Sequence, residues 1–202
     1  MKKLFKVVMF MLVLGIATPV VSAQTYGLTE KEIKENKKNA EKQAKATAKA
    51  LKKEKWIYAG ANSLENEITN YLLATEYSNG KRKELYETIT QASSVKRGES
   101  MARSAAENEL AREIQIAIKG AIDEQAGNAS GEDVDIQVET WTKKVAQELN
   151  GDIKRHFYIY KENPDHTFQV RVYFSVASTG TVRAQLKNNK DFINDIKELM
   201  GE

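Results

Sequence analysis

The stretch IKRHFYIYKENPDHTFQVRVYFSVA, residues 153–177, has the clearest β pattern in the chain. Its second half alternates without interruption, and one apolar set occupies every second position: Phe168, Val170, Val172, Phe174 and Val176. Successive side chains of a strand point to opposite faces, so this set predicts one buried face. Residues 162–166 include Asn, Pro and Asp, which favour turns. We therefore predict a hairpin of strands 153–161 and 167–177.

The remaining positions of the hairpin predict a second face. We expect Phe157 and Ile159 to point inward, which leaves five outward residues: His156, Tyr158, Tyr160, Arg171 and Tyr173. Tyr and Arg are enriched in binding hot spots, so these five are our candidate binding residues, for a sugar or a partner protein. The alternative is structural packing, because Tyr is also a good strand residue and a helix could cover that face.

A helical pattern fills residues 99–125. Small and apolar residues recur there at steps of three or four: Ala102, Ala105, Ala106, Leu110, Ile114, Ala117, Ile118, Ala121 and Ile122. Small side chains allow close approach, so we predict a central packing helix with Ser100 as its N-cap. The run from Gly98 to Ala102 resembles a nucleophile elbow, but Ala replaces the last glycine. The two histidines belong to the predicted hairpin, and nothing in the sequence places either one close to Ser100.

The segment after residue 28 predicts a charged helix. Thr29 and Glu32 have the spacing of a capping box, and the helix continues to about Glu54. Its apolar stripe is thin and mostly Ala, whose burial contributes little. We therefore expect this helix to pack weakly or to project, with a solvated Lys-rich face. Contact with a membrane surface or a partner helix is the alternative.

The other segments complete the expected fold. Strand patterns occur at 56–59 and 85–95, an Asn-Gly turn signal at 79–80, and helical patterns at 63–75, 133–149 and 181–200. The mixed order predicts an α+β fold. Its small antiparallel or mixed sheet has about four strands, with a C-terminal hairpin. Helices cover one face, where the sheet packs against the long Ala-rich helix.

Residues 1–23 have the pattern of a secretory signal peptide. Lys2, Lys3 and Lys6 precede an apolar run at 7–16, and small residues follow up to Ala23. That run is too short to cross a bilayer, which requires about 20 residues. We expect an exported chain that begins near Gln24 and has no transmembrane span. It would comprise a charged helical segment at 24–55 and a single domain at 56–202.

Composition excludes several classes of function. The chain has 31 Lys and Arg against 28 Asp and Glu, but the leader carries three of the Lys and no acid. The exported part is therefore balanced, and nucleic acid is not an expected partner. Cysteine is absent, which excludes a thiol nucleophile and a lipid anchor on cysteine. With only two His, ten residues apart, we expect no metal and no cofactor.

Three landmarks carry a resemblance to known proteins. They are the run Lys52–Trp56 before a strand, the Ala-rich helix from Ala102 to Ile122, and the strand Phe168–Val172. The chain resembles small secreted envelope proteins of Gram-negative gut bacteria. It is more distantly similar to the small outer-membrane lipoprotein family that includes the N-terminal domain of the flagellar H-ring assembly protein. The resemblance implies an α+β fold and an envelope role, with no catalytic residues, although the anchoring cysteine of the lipoproteins is missing.

These observations favour an exported, non-enzymatic binding or scaffold protein of the bacterial envelope. Its expected location is the periplasm or the cell surface of a Gram-negative bacterium, and its expected partner is an envelope protein or a glycan. One alternative is a hydrolase that acts on envelope or dietary polymers through paired carboxylates. Another is a self-assembling subunit, because an open sheet edge invites pairing.

Overall fold

The computed structural model describes residues 27–126, 131–149 and 153–200. The predicted leader at 1–23 lies outside the described residues. Within them the chain is an α+β fold of six helices and three strands. In chain order the elements are α1 (Glu30–Lys53), α2 (Leu64–Ala74), β1 (Arg82–Ala92), α3 (Val95–Ala126), α4 (Glu132–Leu149), β2 (Lys154–Glu162), β3 (Phe168–Ala177), α5 (Thr179–Lys187) and α6 (Lys190–Met200).

The three strands form one antiparallel sheet in the order β1-β3-β2. The prediction of about four strands is wrong for the described residues, because the segment 56–59 forms only one bridge, between Ile57 and Tyr160. The N–H of Trp56 still donates to the carbonyl of Leu51 at the end of α1. The segment then leads into α2, which Ser63 caps. The β2–β3 hairpin is also not the end of the fold, because two helices follow it.

Helices cover both faces of the sheet, so the prediction of helices on one face is wrong. One cluster joins α3 to the alternating apolar residues of β3, including Val172 and Phe174. A second cluster joins α1 and α2 to Phe157, Ile159 and Tyr173. We call these two sides the α3 face and the α2 face. Because β3 carries large side chains at both parities, each face has apolar surface that requires a cover.

The helix α1 packs instead of projecting. Its capping box is confirmed, since the Thr29 side chain accepts from the Glu32 amide and Glu32 bonds back to the Thr29 amide. Ala44 and Ala48 have no exposed surface and belong to the cluster on the α2 face. Alanine has little apolar area, but it lets two helices approach closely. The thin stripe therefore indicates a close contact, and the Lys residues lie on the outer faces.

The long helix α3 begins earlier than predicted. Ser94 is its cap, because the Ser94 hydroxyl accepts from the Arg97 amide at 3.2 Å. The prediction of Ser100 as N-cap is wrong, since Ser100 lies inside the helix. Gly98 lets the first turn of α3 pack closely on β3, because a Cβ at this position would lie 2.5 Å from Cγ2 of Val170. The close packing of α3 on β3 therefore starts at Gly98, before the Ala stripe.

The predicted closing helix is two helices, α5 and α6. Between them the side-chain oxygen of Asn189 accepts from the amides of Asp191 and Phe192, at 3.0 and 3.1 Å. This is N-cap geometry, which satisfies amides that a continuous helix would bond to its own carbonyls. The break lets Val182 and Phe192, one from each helix, both join the cluster on the α3 face.

Candidate functional site

The five predicted binding residues do not form one surface. Tyr158 pairs with Val172 and Tyr160 with Val170, so both tyrosines lie on the α3 face. Tyr173 and His156 lie on the α2 face, where each ring contacts Tyr71 edge-on. The expectation of a shared outward face is wrong for two reasons. From Phe157 to Glu162, residues of equal parity pair with β3, which puts Tyr158 and Tyr160 on the face opposite Tyr173. A bulge between Arg155 and Phe157 then shifts the register at His156. Helices pack on both faces, so neither Tyr158 with Tyr160 nor Tyr173 with His156 forms a solvent-exposed surface.

His156 belongs to a buried polar network. Its Nε2 lies 2.9 Å from the hydroxyl of Ser175, a residue with no exposed surface. The Nε–H of Arg82 donates to the same hydroxyl at 3.0 Å, and Nη2 donates to the Ser175 carbonyl at 2.8 Å. Burial, with the nearby cations Lys154 and Arg82, lowers the pKa of His156 to about 4. The imidazole is therefore neutral at neutral pH.

This Ser–His contact lacks two features of a catalytic pair. The hydroxyl is enclosed between α2 and the sheet, so a substrate cannot reach it in this conformation. The charged groups that act on the pKa of His156 are cations, whereas a catalytic triad places a carboxylate beside the imidazole. The network instead satisfies polar groups inside the fold. Sequence reasoning assigned His156 to the surface and did not bring it close to any serine.

Tyr173 is a core residue. Its ring stacks on Phe157 at a centroid distance of 4.3 Å and an interplanar angle of 16°. Burial raises the pKa of the Tyr173 phenol. Aromatic pairs of this kind contribute beyond the area that they bury. A binding role that requires an exposed phenol therefore does not fit Tyr173.

Arg171 alone among the five lies in a group of aromatic and cationic side chains at the protein surface, in which the ring of Trp56 is buried and Tyr86 is exposed. Its guanidinium carbon lies 4.7 Å from the ring centroid of Trp56 and 5.6 Å from that of Tyr86. The ammonium of Lys161 lies 4.3 Å from the Trp56 centroid. We call Trp56, Tyr86, Lys161 and Arg171 the Trp56 surface.

The elements that position the Trp56 surface come from distant parts of the chain. The turn after α1 places Trp56 against the sheet, and its indole N–H donates to Glu54 at 3.0 Å. Arg171 on β3 donates through Nε to the Thr88 hydroxyl of β1 at 3.0 Å. Tyr86 pairs with Tyr173 across the strands, and its side chain is 55% exposed. Only knowledge of the strand register could have found Tyr86 and Lys161.

The chemistry of the Trp56 surface suits recognition of anionic groups. Two cations lie on aromatic faces, which fixes their positions, and the Nε–H of Arg171 is already used by Thr88. An exposed phenol beside a guanidinium combines apolar area with hydrogen bonding, a composition common in binding hot spots. Carboxylate or phosphate groups of a partner would match the charge.

The carboxylates were the basis of the alternative hydrolase prediction. Burial and then the charge of Glu109 raise the pKa of Glu87. Glu113 is held differently: hydrogen bonds from Lys83 and Thr179 lower its pKa. Two clefts in the described part of the chain, of about 530 and 200 Å³, are lined by neither Glu87 nor Glu109.

Metal-ligating clusters and membrane-spanning helices are both absent from the described ranges. No group of three His, Asp or Glu residues there is arranged to hold a metal ion. His166 lies in the hairpin turn with a side chain that is 90% exposed. Within the same ranges, no helix combines the length and the apolar character needed to span a membrane.

No protein-family model, no curated protein and no solved structure matches this chain.

Proposed function

We propose that this protein is an exported, non-enzymatic binding or scaffold protein of the bacterial envelope, and that the Trp56 surface binds an anionic partner. The observation that carries the proposal is the stack of Lys161 and Arg171 on Trp56, beside the exposed ring of Tyr86. The signal-peptide pattern at 1–23 supports the location. An acidic segment of an envelope protein or an acidic glycan has the chemistry that this surface would recognise.

Charge and shape both support this choice of surface. The Arg171 guanidinium is oriented by Thr88 and by two rings, so a ligand would find it already positioned. Preorganisation of this kind lowers the entropic cost of binding. The buried Ser175–His156 pair offers no comparable access. The surface therefore supports binding better than hydrolysis.

Capture from envelope fractions of the native host tests the surface. The bait is the chain from residue 24, and the variant combines Tyr86→Ser with Lys161→Gln. We expect this variant to lose the captured partner, with a melting temperature close to that of the unchanged protein. The matched control combines Tyr158→Ser with Tyr160→Ser on the α3 face, which should retain the partner. Equal capture by the surface variant would refute the assignment.

Salt dependence gives a second measurement. Binding through two cations should weaken as ionic strength rises, because surface charges are screened over about 10 Å at 0.1 M salt. Capture that is unchanged between 50 mM and 500 mM salt would contradict an anionic partner. Export is tested separately, by the N-terminal mass of the protein from the host. A terminus near Gln24 in the periplasmic or extracellular fraction is expected, and an intact Met1 terminus in the cytosol would contradict export.

A further inference from the structure

The strand β1 lies at one edge of the sheet, and its outer backbone groups have a defined pattern. The carbonyl of Lys81 accepts from the Ser178 amide on the β3 side. The amide of Arg82 instead points to the outer side, where it donates to the Ser78 hydroxyl. Antiparallel strands alternate in this way. Glu84, Tyr86 and Thr88 therefore direct their amides and carbonyls outward, and these groups have no hydrogen-bond partner among the described residues.

Such an edge is a template for another strand. Its backbone pattern restricts how a second copy of β1 could pair antiparallel to it, because outward groups must meet outward groups. The two-fold axis must then lie between the two copies of one residue of β1, so that this residue faces itself. An axis at Glu84 or at Glu87 places each of these carboxylates opposite its own copy, which is unfavourable. An axis at Tyr86 places Leu85 opposite Glu87 and brings no pair of opposite charges into facing positions.

An axis at Leu85 gives complementary pairs. Lys83 of each copy then lies opposite Glu87 of the other, and Leu85 lies opposite Leu85. These residues lie on one face of the strand, since they are separated by two positions. Opposite charges in directly facing positions stabilise strand pairs, and the symmetry forms each pair twice. The charges on β1 therefore select this register and disfavour its neighbours.

The surroundings of Glu87 supply a second reason. Among the described residues Glu87 forms no ion pair, and burial, with the negative charge of Glu109 on α3, raises its pKa. Glu109 in turn holds Arg112 at 2.8 Å. Lys83 bonds to Glu113 on its own chain, yet its side chain is 45% exposed. A lysine from a second copy would place a cation beside a carboxylate that has none.

We propose that β1 pairs antiparallel with β1 of a second copy of this chain, with the two-fold axis at Leu85, to form a continuous six-stranded sheet. The strand order would be β2-β3-β1 followed by its symmetric repeat. Only one strand of each copy contributes backbone contacts, so we expect a weak dimer that dissociates on dilution. Tyr86 belongs both to this interface and to the Trp56 surface, but the pairing is tested on the purified chain without a ligand of that surface.

A charge-exchange experiment tests the pairing. Sedimentation equilibrium on the chain from residue 24 should show a dimer in reversible equilibrium with the monomer. Glu87→Lys and Lys83→Glu should each raise the dimer Kd about tenfold or more, because each places like charges in both facing positions. An equimolar mixture of the two variants restores both pairs, so it should recover association close to that of the unchanged chain. Circular dichroism checks that each variant is folded.

A backbone variant separates strand pairing from other contacts. Glu84→Pro removes an outward amide that the monomer does not use, and proline is tolerated in this position of an edge strand. It should abolish the dimer, whereas Glu84→Gln, which keeps the amide, should retain it. A chain that stays monomeric at all accessible concentrations would overturn the proposal. So would a dimer that ignores Glu84→Pro, or a variant mixture that stays monomeric.

Discussion

The imidazole Nε2 of His156 lies 2.9 Å from the hydroxyl of Ser175, inside the layer between α2 and the sheet. The guanidinium of Arg82 donates to the same serine twice, once to the Ser175 hydroxyl and once to the Ser175 carbonyl. The histidine is thus neutral, enclosed and next to a cation. These three conditions determine how the stability of the fold should respond to acid.

Acid should destabilise the protein through His156. Its pKa is lowered from 6.5 to about 4 in the folded chain, so the unfolded chain binds more protons between these values. The stabilisation is complete above pH 6.5 and is lost as the pH falls toward 4. The full difference corresponds to about 3 kcal/mol in the free energy of unfolding. Urea unfolding measured between pH 7.5 and pH 4 checks this dependence.

Two histidine variants isolate the effect. His156→Gln should flatten the pH dependence across that window, because the replacement cannot acquire a charge. His166→Asn should leave the dependence unchanged, since the His166 side chain is 90% exposed and Asn tolerates its positive φ of 62°. Equal pH profiles for the unchanged protein and His156→Gln would show that another group controls acid unfolding.

The two glycines of α3 should respond to alanine in opposite directions. At Gly98 the added methyl would lie 2.5 Å from Val170 on the central strand, which cannot move freely. Gly98→Ala should therefore lower the free energy of unfolding by about 1–3 kcal/mol. At Gly120 the nearest atoms belong to the flexible end of Arg183. Gly120→Ala should be neutral or stabilise by up to about 1 kcal/mol, and chemical denaturation of both variants measures the contrast.

The start of α3 can be tested with two serines. Ser94 caps the helix, so Ser94→Ala should cost about 1 kcal/mol in the free energy of unfolding. Ser100 lies inside the helix and is exposed. Ser100→Ala should therefore be neutral or slightly stabilising, because Ala has the higher helix propensity. Thermal melts of the two variants would contradict this boundary if Ser100→Ala proved the more damaging change.

The Ala stripe of α1 should be intolerant of larger side chains. Ala48 has no exposed surface, whereas Ala46 is exposed on the same helix. Ala48→Leu should cost about 1–3 kcal/mol because the extra carbons must displace packed neighbours. Ala46→Leu should change the free energy of unfolding little. If both leucine variants melted like the unchanged protein, the α1 contact would be looser than the burial indicates.

Much of the fold could be predicted from local patterns. The capping box at Thr29, the turn at Asn79 and the helical and strand regions all follow from residue type and spacing. The cap of α3 could not be placed, because Ser94 and Ser100 are equally good candidates and only the packing of Gly98 on Val170 distinguishes them. The break at Asn189 was missed for a similar reason, since Asn also occurs inside helices.

The candidate site was harder to predict. Alternation in β2 divides its side chains into two faces, but it does not show which residues of β3 lie on the same face as each set. The register places Tyr158 beside Val172, and Tyr173 beside Phe157, so residues expected on one surface belong to two different interiors. Arg171 was found because it alternates with the apolar set of β3 and because Arg is enriched in binding hot spots. Tyr86 and Trp56 reach it only through strand pairing and through the turn after α1.

The position of β3 in the sheet has a consequence for biosynthesis. The strand that joins the other two is the last of the three to leave the ribosome, and Arg82 of β1 must wait for Ala177, nearly half the chain away. Such high contact order makes folding slow and leaves both hydrophobic surfaces uncovered during translation. The nascent polypeptide therefore stays open until late in synthesis, and chaperones would have time to hold it in that form.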